Sequence, residues 1–154
     1  MTIALERPVG TTLPGTLVDP EVHERLAVRI TKDHPEIDVP TARRIVSQTA
    51  AFLAAGAREP GQFLVPSALV DIGWHTWILH TVDYSEFCQR VAGRFIHHVP
   101  TDNEPVPGGP AAARERTLAA IRAAGYTIDP DLWMRADGDC SQCHQGCTDS
   151  PVNK

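Results

Sequence analysis

The stretch from Pro66-Ser67 to Leu79 constrains the fold more than any other. Leu69, Val70, Ile72, Trp74, Trp77, Ile78 and Leu79 occupy every side of a helical wheel, and a helix that is apolar all round has to be enclosed by other elements, which places it at the centre of the fold. Helices able to enclose it are written on both sides. Asp19-Pro20-Glu21 reads as an N-cap, a proline at the first helical position and a first-turn acid, followed by Val22, Leu26 and Ile30 at helical spacing, with Pro35 as the stop. Pro40 starts a second helix with Ile45, Thr49, Phe52 and Leu53 on one face and Gly56 at its end. Thr81 or Asp83 caps a fourth helix carrying Tyr84, Phe87, Cys88, Val91 and Phe95, closed by His97-His98-Val99-Pro100. A linker containing Pro105, Pro107, Gly108 and Gly109 leads to a fifth helix over Pro110–Ala124, and Asp129-Pro130 opens a short turn with Leu132, Trp133 and Met134.

The period-two alternation of half-buried strands is nearly absent, so the expected fold is all-α: a compact bundle of about five helices. The chain divides into an irregular N-terminal arm over residues 1–19, a helical domain over 20–136 and a Cys-rich tail over 137–154. At 154 residues, one core suffices. Fourteen basic against nineteen acidic residues leave a net charge of −5 with no basic run, which argues against nucleic acid as a partner. No segment approaches the roughly 20 apolar residues that span a bilayer, and Met1–Pro8 lacks the features of a secretory signal. A cytoplasmic location without membrane association is the expectation.

The densest set of chemically capable residues is Asp71, His75, His80, Asp83, Tyr84, Cys88, His97 and His98. Asp71 and His75 are four apart and project from one face of the third helix. On a helix enclosed on all sides, a carboxylate needs a partner, because an unpaired buried charge is very unfavourable. Two partners suggest themselves. Asp71 and His75 pin each other in a purely structural hydrogen bond, or a cation binds both, with His97 and His98 brought back by an antiparallel return. His75 and His80 are five apart, about 140° around the wheel, and do not lie side by side. Trp74, Trp77, Tyr84 and Phe87 would line a modest apolar pocket.

The string Val70-Asp71-x-x-Trp74-His75-Thr76, followed by Asp83-Tyr84-x-x-Phe87-Cys88 and Phe95-Ile96-His97-His98, resembles the glycine-rich domain-containing-protein-like family. The resemblance implies a helical fold and singles out these positions; it brings no activity. This chain differs from the longer members in lacking a glycine-rich region and in carrying a cysteine tail.

That tail reads Cys140-Ser141-Gln142-Cys143-His144-Gln145-Gly146-Cys147. In a reducing compartment such crowding points to metal or redox chemistry before disulfides. A zinc site is chemically sound, and the spacing also suits part of an iron-sulfur cluster. Cys140-x-x-Cys143-His144 is literally a c-type haem signature, but attachment takes place outside the cytoplasm and c-type haem is not expected.

Two classes of function follow. One is a small metalloenzyme, oxidative or hydrolytic, acting on a small molecule or peptide, with zinc, iron or copper held by Asp71, His75 and one or both of His97 and His98. The other is a non-enzymatic metal-handling or interaction module, with Cys140, Cys143 and Cys147 as the ligands of a zinc or iron-sulfur tail.

Overall fold

A computed structural model of the chain describes residues 12–100 and 104–133. The described residues form a helical bundle: a 3-10 turn at Pro14–Leu17, then α1 (Pro20–Asp33), α2 (Val39–Arg58), α3 (Ala68–Leu79), α4 (Thr81–Ala92), α5 (Gly109–Ala123) and the single turn α6 (Pro130–Trp133). No strand occurs among them; Thr12 makes one isolated parallel bridge to Tyr126. None of these helices is long and apolar enough to cross a membrane. Cys140, Cys143 and Cys147, Met134 and residues 1–11 of the N-terminal arm lie outside the described residues.

Local chemistry explains the helix starts. Asp19 accepts from the backbone N–H groups of Glu21 and Val22, and Asp38 from that of Thr41, each with a proline in the first turn where its missing N–H costs nothing. Ser67 caps α3 by accepting from Val70 N–H. α4 differs from expectation: neither Thr81 nor Asp83 caps it. His80 holds the N-cap position without a side-chain cap bond, its Nδ1 instead bonding to Thr76 O at 2.9 Å. α2 also runs past Gly56 to Arg58, since a glycine inside a helix is only mildly unfavourable when packing continues.

The centre of the bundle is α2, not α3. α2 touches α1, α3, α4, α5 and the 3-10 turn, and Ala42, Ala50, Ala51, Ala54 and Ala55 are all buried along it. Small side chains let neighbours approach from several directions, whereas the bulk of α3 faces mainly one way. Val70, Trp74 and Trp77 are buried, but Leu69, Ile72 and Ile78 are only partly covered and Leu79 is 70% exposed. The contact between the two helices is close because Gly73 faces Thr49 and Ile45. Thr49 sits there with its hydroxyl bonded to Ile45 O at 2.8 Å and to Val70 O at 3.1 Å, so a buried polar group is satisfied without disturbing the interface.

Both ends of the described chain are tied to α2. Residues 12–19, read from sequence as part of an arm without structure, instead contribute the 3-10 turn and the buried Val18, and Thr12 bonds with the backbone of Gly125 and Thr127. At the other end Arg44 makes a forked ion pair to Asp129 with both N···O distances 2.6 Å, and reaches Asp131 at 2.9 Å. Gln48 beneath it bridges Thr127 O and the indole N–H of Trp133. Trp133 is thereby pressed against Phe52, with ring centroids 6.3 Å apart.

His23 on α1, three and seven residues before the buried Leu26 and Ile30, is half buried with its Nε2 2.9 Å from Ser47 Oγ on α2. Burial lowers its pKa below the ordinary 6.5, the nearby Glu24 charge opposing and Arg43 reinforcing the shift. Below that ordinary value the unfolded chain takes up a proton that the folded one resists. The contribution is thus fully present above about pH 6.5 and is lost as pH falls towards the lower folded value. Melting temperature is expected to drop more for the native chain than for His23→Gln between about pH 7 and pH 5; parallel curves would show that His23 carries no such linkage.

Candidate metal centre

Three titratable side chains converge beside the first turns of α3. Asp71 is buried, with a side chain 4% exposed; His98 Nε2–H donates to its Oδ1 at 3.0 Å, and His75 Nδ1 lies 3.5 Å from its Oδ2. One ligand atom from each of Asp71, His75 and His98 fits within 4.8 Å of the others. The imidazole rings of His75 and His98 are 4.6 Å apart between centroids and tilted by 33°. His98 is itself nine-tenths buried, and its Nδ1 has no hydrogen-bond partner among the described residues.

Each side chain arrives for a local reason. Asp71 and His75 are one helical turn apart on α3 and share a face. The Asp71 carboxylate stands near the positive end of that helix, where a negative charge is favoured. His98 comes from the segment after α4, which stops at Gly93 with φ 68°, a left-handed conformation that glycine adopts without strain. From there the chain has no regular secondary structure, and burial alternates as it would along a strand: Phe95, His97 and Val99 are exposed while Ile96 and His98 are covered. Only one of two adjacent histidines can face α3 on such a segment. His98 does; His97 turns out to the Phe95 ring, 4.9 Å away.

A hydrogen-bonded pair holds this segment in place. Trp74 Nε1–H donates to Tyr84 Oη at 2.8 Å, and Tyr84 Oη–H donates to Ile96 O at 2.6 Å, two residues before His98. Trp74 also lies against the His98 ring, with centroids 4.2 Å apart. Burial pushes the Tyr84 phenol far above its ordinary range, so it remains a donor at any physiological pH. From the sequence Tyr84 read as a core or pocket-lining residue, and the role of its hydroxyl was missed. The period-two pattern of Ile96 and His98 was the available signal.

The pocket expected between Trp74, Trp77, Tyr84 and Phe87 is filled by those rings themselves: Trp77 packs on Phe87 at 4.2 Å and on Tyr84 at 6.2 Å. Tyr84→Phe keeps the ring but leaves the Trp74 N–H and the Ile96 carbonyl without their bond, a loss of about 1–3 kcal/mol. The fold is expected to persist with a lowered melting temperature, and nuclear magnetic resonance should show the His98 ring signals broadened or shifted. Unchanged His98 signals would remove Tyr84 from any positioning role.

Two histidines and one carboxylate in this arrangement are a set of N and O donors suited to zinc, iron or copper. Ligands held at about 2.0–2.1 Å in a tetrahedron stand roughly 3.3–3.4 Å apart, near the 3.0 and 3.5 Å separations between Asp71 and its two histidines; His98 Nε2 would ligate only in the other tautomer, with the proton moved from the Asp71 bond to Nδ1.

Comparison with known proteins corrects the resemblance drawn from the Asp71 and His98 strings. The family model that matches is UCP032817-like, over residues 16–107, and nothing connects the chain to the glycine-rich domain-containing family. No curated protein and no solved structure matches it. The family match takes in the last two residues of the 3-10 turn, α1 to α4 and all of Asp71, His75 and His98. Because it extends over more than half of the chain, the protein belongs to the UCP032817-like family.

Proposed function

We propose that the protein is a metal-binding protein whose centre is Asp71, His75 and His98, holding a divalent transition metal with a coordination position left for a small substrate. The observation that supports this most is the burial of a carboxylate between two imidazoles with all three ligand atoms within 4.8 Å. A buried anion is strongly disfavoured unless compensated, and a cation compensates it more fully than neutral imidazoles do. His97 is outside the ligand set because it points to Phe95.

Two histidines and a carboxylate with open positions is the ligand pattern of non-haem iron(II) oxygenases, and the same donors around zinc support hydrolysis by lowering the pKa of a bound water. Iron with oxidation and zinc with hydrolysis are therefore the two chemistries within this reading, and the partner is a small molecule or peptide. What the chain itself supplies is position. Asp71 sets the charge and the distance between the histidines, Trp74 and Tyr84 hold the strand-like segment that presents His98, and the 26% exposure of the His75 side chain marks the side open to solvent.

A second reading is supported by the 3.0 Å bond from His98 Nε2–H to Asp71: the triad is a polar staple between α3 and the segment after α4, with no metal. Elemental analysis of protein purified without added metal, followed by cobalt(II) titration of the native chain, His75→Ala and His98→Ala, separates the two. One ion per chain, or a cobalt spectrum of low coordination number lost in both variants, is the expected result. A native chain that takes up no zinc, iron, copper or cobalt would leave the staple as the reading.

A further inference from the structure

A second concave feature lies away from these residues. It is a cleft of about 400 Å³ lined by Thr16, Leu17, Ala54, Arg58, Arg90, Val91 and Tyr126, within the size range of small-molecule sites. Four segments build it: the 3-10 turn, α2, α4 and the stretch that follows α5. No lining residue is acidic, although the chain carries nineteen acids and a net charge of −5.

The described arginines fall into two groups, those paired with a carboxylate and those, Arg58, Arg90 and Arg116 among them, that bond only backbone carbonyls. Arg25, Arg29, Arg43 and Arg44 each pair with a carboxylate. Arg58 and Arg90 have no carboxylate partner among the described residues; each gives one N–H to a backbone carbonyl instead, Arg58 to Ala124 O at 3.3 Å and Arg90 to Leu17 O at 2.6 Å. Arg90 also lies over the face of the buried Phe87 ring, 5.6 Å from its centroid. A guanidinium has five N–H donors, so most of each fork is left over while its carbon stem is held. Two cations line one cleft together with the apolar Leu17, Ala54 and Val91, a combination that matches an anionic head on an apolar body.

We propose that this cleft binds a small organic oxyanion, with a carboxylate or phosphate head between Arg58 and Arg90 and an apolar body against Leu17, Ala54 and Val91. The site does not depend on the metal reading, since none of its residues belongs to the Asp71, His75, His98 set.

The test is calorimetric titration of the full-length protein with phenyl phosphate, benzoate, inorganic phosphate and benzyl alcohol, repeated in Asp71→Asn so that binding to a metal centre is not mistaken for binding here. Phenyl phosphate or benzoate is expected to bind equally in both proteins, more tightly than inorganic phosphate, with benzyl alcohol silent. Arg58→Gln and Arg90→Gln should each weaken it by roughly tenfold or more. Thr16→Glu, an exposed position where folding is not at stake, should do the same by placing a carboxylate in the cleft while both arginines stay. The proposal is overturned if neither organic oxyanion binds. It is equally overturned if binding survives Thr16→Glu and the double arginine variant, vanishes in folded Asp71→Asn, or is no tighter than that of inorganic phosphate.

Discussion

Asp71→Asn is expected to abolish metal binding at the Asp71, His75 and His98 centre while leaving the helical fold in place. Asparagine matches the shape of aspartate and still offers one oxygen to His98, so the 3.0 Å contact survives in form. The charge does not. A neutral amide is a poor ligand for a divalent ion and no longer offsets it, and its nitrogen presents a donor towards one of the two imidazoles. Loss of an outer-shell partner already lowers metal affinity by about 10–100-fold, and loss of the only carboxylate in the set should exceed that range. Competitive titration against a chelator, with circular dichroism to confirm the fold, reads the effect directly. A folded Asp71→Asn protein that binds metal as tightly as the native chain would exclude Asp71 as a ligand and the proposed centre with it.

Gly73→Val should be the most destabilising single change at the α2 to α3 contact, for a reason unconnected with catalysis. A Cβ at Gly73 would run into Thr49 Oγ1 and lie 2.9 Å from Ile45 Cγ2. Neither neighbour can yield cheaply: Thr49 is fully buried and held by its two carbonyl bonds, and Ile45 is fully buried as well. Overpacking of this kind costs about 1–3 kcal/mol, and valine, with two further methyl groups, belongs at or above the upper end. Gly73→Ala should fall lower in the same range. Denaturant titration measures both. Because α3 carries Asp71 and His75 while His98 comes from elsewhere, the displaced helix should also weaken metal binding even in conditions where the variant is folded. A Gly73→Val protein as stable as the native one would mean that α3 shifts freely, in conflict with the close approach seen here.

The limits of sequence reading are sharpest at the two histidines after α4. Asp71 and His75 could be paired from their spacing alone, since four residues along a helix return to the same face. That a histidine from the next segment would come back to them was also legible. Which one was not, because the choice between His97 and His98 depends on the phase of that segment. That phase is set by the local turn at Gly93 together with the Tyr84 bond to Ile96 O, and the second of these is tertiary.

The helices themselves were local in origin. Asp19, Asp38 and Ser67 cap them and Pro20 and Pro40 start them, using side-chain and backbone chemistry that acts within three residues. Their arrangement was not. An all-round apolar α3 pointed to itself as the centre, yet α2 holds that place, because alanines that contribute little to a hydrophobic count let several helices approach at once. The cleft between Arg58 and Arg90 is a product of assembly in the same sense: residues 32 positions apart on two helices meet at a 3-10 turn and at Tyr126. Nothing in the spacing of two arginines records that meeting. Sequence alone thus determined the helices and the Asp71/His75 pair, through interactions that reach no further than a helical turn, and only tertiary packing decided the central helix, the choice of His98 over His97 and the cleft that two distant arginines line together.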